Sequence, residues 1–539
     1  MEADKDVPTV ISEGDDSTRT VQSKDDLHFA RRGADLDEAI AAGDISGFDA
    51  ERMRARASLT AEEERKLMRR VDLRIMTLCS LLFLFKNIDS DNISNARIMN
   101  RGTDRNIMTQ LGLTSDEYNL LTVFYYVSAL YTPAAQHGCS SILICVTGAI
   151  HYWGSPVKPA VEKGEPQYLA VQNHGLVSLS RRAEKPSHRV LAHTHVQAEA
   201  GMFPGVILQM CYWYRPDEMS IRLLYFYILG NFSGVVSGIL AFVFDSISGA
   251  AGLSAWQWDI CRLFLVEGVV TVLFGVAIYF VLPDFPPTAK WLTEKEKAFI
   301  QARLPLNAPR AEEVDFDFRE IISSLKDKRL WLFTLIWATF TIGTSGVRFY
   351  QPTVIANLGF TTIARAQLLN LPISILSIVV IGITGFFADN GRLPRPVYPL
   401  TLMAIILACY GVMVAYPSNG AVYTATLIGN AETSSWFPMM WPWRVQTTSR
   451  ATGSAFSIGF VNSYGQIGGA VGPQIFLSKY APRYMQSFGA AMACVGACVA
   501  VTLVTWWVTR EIECETRRLK RAKVKASKDS LAILDDVVV

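Results

Sequence analysis

Six long apolar stretches follow a charged segment near the middle of the chain, and an incomplete set of similar stretches precedes it. The later blocks lie at about 331–350, 367–388, 397–416, 421–441, 453–476 and 487–508. Each is close to the ~20 residues that a tilted helix needs to cross about 30 Å of hydrocarbon. Lipid offers no partners to exposed backbone groups, so apolar runs of this length are read as helices. Before the charged segment, comparable blocks fall at about 73–94, 118–132, 203–215, 220–244 and 260–282. The pattern predicts an all-α membrane protein of two six-helix lobes joined by a basic hinge, the first lobe incomplete.

That reading divides the chain into an N-terminal tail (1–70), a first transmembrane lobe (71–282), a hinge (283–329), a second lobe (330–509) and a C-terminal tail (510–539). The tail up to residue 58 is polar and poor in aromatics, the composition of a mostly disordered segment. Thr60 with Glu63, and Thr293 with Glu296, have the spacing of capping boxes that open helices.

Composition agrees with a membrane setting. Of 539 residues half are hydrophobic and 19% charged, with a formal charge of +2. A soluble chain of this size normally carries more charge. The basic clusters flank apolar runs, so they are read as topological signals and nucleic acid is not an expected partner. Nine scattered cysteines form no CxxC or Cys/His pattern, so neither a disulfide framework, a metal site nor a cofactor is expected. The N-terminus is polar for about 70 residues, so a cleavable signal peptide is not expected.

Lys and Arg are dense in the segment before the first span, in the hinge and after the last span, whereas 245–257 and 417–420 have none. The bias places both termini and the hinge in the cytoplasm, snorkelling at helix ends being the alternative reading of the same charges. Arg97, Arg101 and Arg105 run against the trend.

The two halves carry a faint repeat. YWYRPDEMSIR, with Arg215 and Arg222 around Asp217 and Glu218, matches WPWRVQTTSR, with Arg444 and Arg450. Each precedes a helix rich in small residues: Gly230, Gly234 and Gly238 in the first, Gly453, Gly459, Gly465, Gly468, Gly469 and Gly472 in the second. Small residues let helices approach closely in lipid.

At these residues the chain resembles the major facilitator superfamily, and within it the fungal anion:cation symporters of the allantoate-permease type. The segments that carry the resemblance are 71–100, 199–222, PDFPPTAKWLT within 281–298, and SRATGSAFSIGFVNSYGQIGGAVGPQIF at 449–476. GFFADNGRLPR at 385–395 looks like a shortened GxxxDxxGRR loop. The resemblance implies a twelve-helix, proton-coupled transporter of a small organic anion, a multi-pass plasma-membrane protein acting as a monomer.

The resemblance stops between about 133 and 197. This stretch has nearly the expected length, holds six of the seven histidines, and lacks Phe, Met and Asp. RRAEKPSHRVLAHTHV is too charged for lipid. A metal or pH-sensing loop, a lineage-specific insertion and a shift of reading frame or splice boundary all stay open, the sharp compositional boundary favouring the last. Asp259 to Arg262, four residues that interrupt a WQWLFLVEG-like segment, point the same way.

Proton-coupled anion uptake needs a carboxylate that can be neutralised and a cation that holds the substrate. The resemblance makes Asp89 and Glu199 the proton-coupling candidates, although Ser90 stands where the family pattern has Arg. Asn92, Asn95, Arg348, Tyr350, Gln351, Asn462, Tyr464 and Gln466 are candidates to line the cavity, a guanidinium being suited to grip a carboxylate. For Arg348 an interfacial role, and for Asn462, Tyr464 and Gln466 plain helix–helix bonding, are equal alternatives. Arg215, Arg222, Asp389, Arg392, Arg444 and Arg450 are read as gating or interlobe pairs. Glu432 is placed at either cavity or helix interface.

The expected function is therefore symport of an allantoate-, ureidosuccinate- or nicotinate-like carboxylate by alternating access. A non-transporting sensor of the same ligand and a defective product are the rivals. No GxxxxGK[ST], GxSxG or HExxH occurs, so an enzyme is not expected.

Overall fold

A computed structural model describes residues 21–24, 27–32, 50–118, 203–249, 254–258, 285–305, 308–309, 318–359, 368–389, 391–448, 451–481, 483–528 and 531–533, with a few isolated positions at 252 and within 273–282. The stretch 133–197, Glu199, the insertion Asp259–Arg262 and Arg450 lie outside the described residues.

Long helices dominate what is described. α1 (Ala50–Ala57) leads to α2 (Ala61–Ala96), residues 203–213 are helical, and α3 (Met219–Ser246) follows. The linker contains α4 (Glu294–Arg303). The C-terminal half then runs through α5 (Lys328–Asn357), α6 (Leu371–Asp389), α7 (Val397–Ala415), α8 (Asn419–Val445), α9 (Ala451–Gly465), α10 (Ile467–Val471) and α11 (Met485–Lys528). Both expected capping boxes are present: Thr60 accepts from the Glu63 amide at α2, and Thr293 from that of Glu296 at α4. Each supplies partners for amides that a helix start leaves open.

Among the described residues five helices are long and apolar enough to cross a membrane: α3, α5, α6, α7 and α11. The apolar block expected at 453–476 is broken at Gly465, passing from α9 through α10 into a 3-10 turn at Gly472–Ile475. Part of the N-terminal tail is also ordered. β1 (Val21–Lys24) and β2 (Leu27–Arg31) form a hairpin, and β3 (Leu531–Ile533) joins β2 from the other end of the chain. Both tails and the linker therefore gather at one end of the bundle, called here the tail side.

The expected small-residue contacts set the helix spacing. An atom at the Cβ position of Gly468 would lie 2.1 Å from the Thr341 carbonyl carbon and Ile342 nitrogen, and one on Gly346 2.4 Å from the Gly472 carbonyl oxygen. Backbone thus meets backbone where α10 crosses α5, and the Thr341 hydroxyl donates to the Gly465 carbonyl at 2.6 Å. In the N-terminal half Gly230 lets the Phe83 ring lie against α3. Large aromatics fill the space between helices of the C-terminal half. Trp436 stacks on Phe340 at 3.8 Å between centroids, and Trp337 meets both Trp436 and Trp441. Such rings add packing beyond the area they bury.

Overpacking of a close crossing costs about 1–3 kcal/mol or more. Gly468→Val is therefore expected to lower the thermal midpoint of the detergent-solubilised protein by several degrees. Gly411→Ala, where the added methyl meets nothing within 4 Å, leaves it unchanged or slightly raised. Equal midpoints for the two variants would refute the tight α5–α10 crossing.

Candidate functional site

Away from the tail side, a polar layer forms where α2, α3, α5 and α6 meet. Arg348, on α5, reaches across to Asp91 on α2, with Nη2 at 3.5 Å from Oδ1. The Ser233 hydroxyl of α3 donates to the other carboxylate oxygen at 2.8 Å. Gly234, next to Ser233, brings α3 against Ser374 of α6; a Cβ there would lie 2.4 Å from the Ser374 hydroxyl and 3.7 Å from the Asp91 carboxylate. Gln351, one helical step from Arg348, donates to Asn370 at 3.0 Å. The ion pair thus joins a helix before the linker to one after it. Half of the Arg348 side chain stays accessible, and a guanidinium has five N–H donors. The group is thus open to the approach of a second anion, which would compete with Asp91 for it.

The remaining sequence candidates fall in several places. Asp89 and Asn92 lie on α2, their side chains outside the described residues, and Asn95 is buried. Tyr350 is fully buried, so it does not line an open cavity in this conformation; its ring is the seat for Arg97. Asn462 and Tyr464 lie on α9, with Tyr464 exposed and its ring against Phe460, and Gln466 occupies the break between α9 and α10. The structure does not bring these three to the Asp91–Arg348 pair. Glu432, midway along α8, is buried, and its Oε2 has no hydrogen-bond partner. Gly429, on the same face, touches Cys409 of α7, which turns this face toward a helix interface.

Beyond the ion pair, in the segment after α2, lies a contact that pattern reading missed. Arg97 is 3% exposed, with its guanidinium carbon 4.3 Å from the Tyr350 ring centroid, 5.7 Å from that of Tyr118 and 5.8 Å from that of Phe349. Its Nη2 donates to the Tyr350 hydroxyl at 3.3 Å and also reaches Ser115. Arg101 donates to Asn357 at the end of α5 at 2.7 Å. Arginines that ran against the charge bias are thus engaged across the two halves, and cation–π seating explains how one is buried.

On the tail side the gating candidates sort by partner. Arg222 pairs with Asp72 at 2.8 Å and with Glu218 at 3.6 Å, all within the N-terminal half. Asp389 accepts from Lys520 at 2.7 Å, and the backbone carbonyl of Arg392 accepts from Arg521 at 2.7 Å, both within the C-terminal half. Arg444 departs from the expected surface pair: at 2% exposed it donates to Thr447 at 2.6 Å and lies over the Phe333 ring. Its place in the packed aromatic core accounts for the difference. The contact between halves runs through Asp217 instead. Arg215 stands 3.3 Å from its Oδ1, Lys523 donates to its Oδ2 at 3.0 Å, and Lys520 donates to its carbonyl at 3.1 Å. Arg303 of the linker pairs with Glu218 next door.

Burial pushes the Asp217 carboxyl upward, but Arg215, Lys520, Arg395 and Arg303 outweigh it and hold it below the usual carboxylate value. A lowered carboxylate pKa contributes stability above the unfolded value, near 3.9, and loses it as pH falls through the lower folded value. Asp217→Asn is thus expected to cost about 3–5 kcal/mol, since it strands buried cations. The difference in thermal midpoint from the unmodified protein stays constant from pH 5 to 8 and closes only below about pH 4. A difference that varies between pH 5 and 8 would contradict the assignment.

Long apolar helices tied by charge across two halves define a multi-pass membrane transporter, and comparison with known proteins agrees. The sequence model of the Major Facilitator Superfamily matches residues 198–473, beginning just past the anomalous stretch. The chain belongs to that superfamily. The MFS-type transporter cnsO of Penicillium expansum is 27% identical over 465 residues, covering 83% of this chain and 84% of the relative. The high-affinity nicotinic acid transporter of Saccharomyces cerevisiae is 22% identical over 453 residues, covering 80% of this chain and 75% of the relative. Among solved structures, the human organic anion transporter MFSD10 superposes with a TM-score of 0.52 at 13% identity, over 81% of this chain and 99% of that one. The relatives are transporters and not enzymes.

Proposed function

We propose that the protein is a proton-coupled symporter of a small organic anion, a carboxylate of the allantoate, ureidosuccinate or nicotinate type, working by alternating access between two lobes. One observation carries this reading: Asp91 and Arg348, from opposite halves, form an ion pair that leaves half of the guanidinium side chain accessible. A charged pair inside a membrane bundle is a functional candidate by default, because ionised groups there are costly.

The pair supplies a coupling rule. While Asp91 is ionised it competes with any other carboxylate for Arg348. A proton on an Asp91 oxygen removes that competitor, with the Ser233 hydroxyl still beside the carboxyl group. A substrate carboxylate then takes the guanidinium, and proton and anion share one site in one cycle. The 22% identity to a relative named as a nicotinic acid transporter supports the choice of anion. Asp89 and Glu199 stand as further proton carriers. Asn92, Asn95, Gln351, Asn462, Tyr464 and Gln466 stand as polar lining. The tail side is taken as cytoplasmic, in a monomer at the plasma membrane.

Nicotinate uptake into proteoliposomes tests the proposal. An inward proton gradient is expected to speed uptake about tenfold, equivalent to lowering the barrier by about 1.4 kcal/mol. Arg348→Ala removes uptake, and Asp91→Asn keeps nicotinate exchange while losing the response to the gradient. Uptake that ignores the gradient in the unmodified protein, with Arg348→Ala still active, would refute it.

A further inference from the structure

The two ends of the chain meet. β2 pairs antiparallel with both β1 and β3, with Ala30 opposite Ala532 and Arg31 opposite Leu531. Phe29, Leu531 and Ile533 pack with Leu519, Ala522 and Ala526, so the small sheet is seated on the last turns of α11. Arg32 then ties this assembly to the other half. Its Nε donates to the Leu531 carbonyl at 3.1 Å, and its Nη1 pairs with Glu64 in the first turn of α2.

The same stretch of α11 carries the direct tie between halves. Lys520 and Lys523, three residues apart and so on one helix face, both reach Asp217 in the turn before α3. Lys520 also holds Asp389 at the end of α6. The sheet begins only a few residues beyond these lysines, and pins the end of the helix that presents them.

We propose that the two tails form a clasp that keeps the tail-side ends of the halves together, and that this side opens only after the clasp releases. Rocking of two halves about a central site must separate Asp217 from Lys520 and Lys523. It must also either part Arg32 from Glu64 or peel β2 from β3. The strands are four, five and three residues long. A sheet that small is marginal by itself, so the clasp belongs to the low-stability parts of the fold that open first. Terminal segments ordered against each other and against a gate are thereby a brake on transport. The inference rests on the transporter class and on no particular substrate.

Hydrogen–deuterium exchange on the purified full-length protein tests it without any ligand. Ala532→Pro and Ala30→Pro each remove a ladder amide from one side of the β2–β3 pair. Both variants are expected to quicken exchange at least about fivefold, in the strands and equally in residues 212–218 and 515–523. Lys523→Gln, which leaves the strands intact in sequence, is expected to quicken the same segments. Faster exchange confined to the strands in the proline variants would overturn the proposal. So would a Lys523→Gln protein with unchanged exchange at 21–31 and 212–218.

Discussion

A charge inside a membrane bundle has to find a partner, and this constraint organises the protein. Hydrocarbon cannot solvate an ion, so a guanidinium or carboxylate there is favoured where it meets an opposite charge, sits on an aromatic face or is enclosed by hydrogen bonds. Here the partners are drawn repeatedly from the two halves of the chain. Asp91 meets Arg348, Arg97 sits on Tyr350, and Asp217 meets Lys523. Each of these contacts is satisfied only while the helices before and after the linker stay close at that level. The electrostatics of the interior therefore hold the halves together, and can also respond when a proton or a second anion changes the balance.

The apolar packing plays the complementary part. Close glycine crossings, such as Gly468 on Thr341 and Ile342, lock helices within the C-terminal half at backbone contact. The stacked Trp337, Trp436 and Phe340 rings fill what those crossings leave. These contacts are local to one half, and rigid units of this kind are what rocking requires. Between the halves, packing and charge work together: Gly385 of α6 lies against Leu224 of α3 and the Phe203 ring against Trp441, in addition to the Asp91–Arg348 pair.

Much of this was legible in the sequence because the signals are local. The capping boxes at Thr60 and Thr293 need only four consecutive residues, and both formed. The apolar blocks of the C-terminal half each found a helix, but α5 runs on to Asn357 and α11 to Lys528, well past the expected ends, and Gly465 begins a break in the block at 453–476. Glycine content showed that this segment packs closely but not that it stops being one helix. Arg348 was legible as a candidate anion contact. Its partner was not. Asp89 and Asp91 lie two residues apart on a helix, about 200° around its axis, and only the position of α5 distinguishes them. Lys520, Lys523 and the β2–β3 pairing were equally hidden. They join residues from distant parts of the chain, one of them a polar N-terminal tail whose composition reads as disordered.

The account stands or falls on competition between Asp91 and a bound anion for Arg348. The direct measurement is nicotinate affinity of the purified protein at neutral pH, compared with that of Asp91→Asn and of Arg348→Ala. The account predicts that Asp91→Asn binds more tightly than the unmodified protein and that Arg348→Ala loses binding. An Asp91→Asn protein that binds no more tightly than the unmodified one, or an Arg348→Ala protein that binds as well, would contradict it.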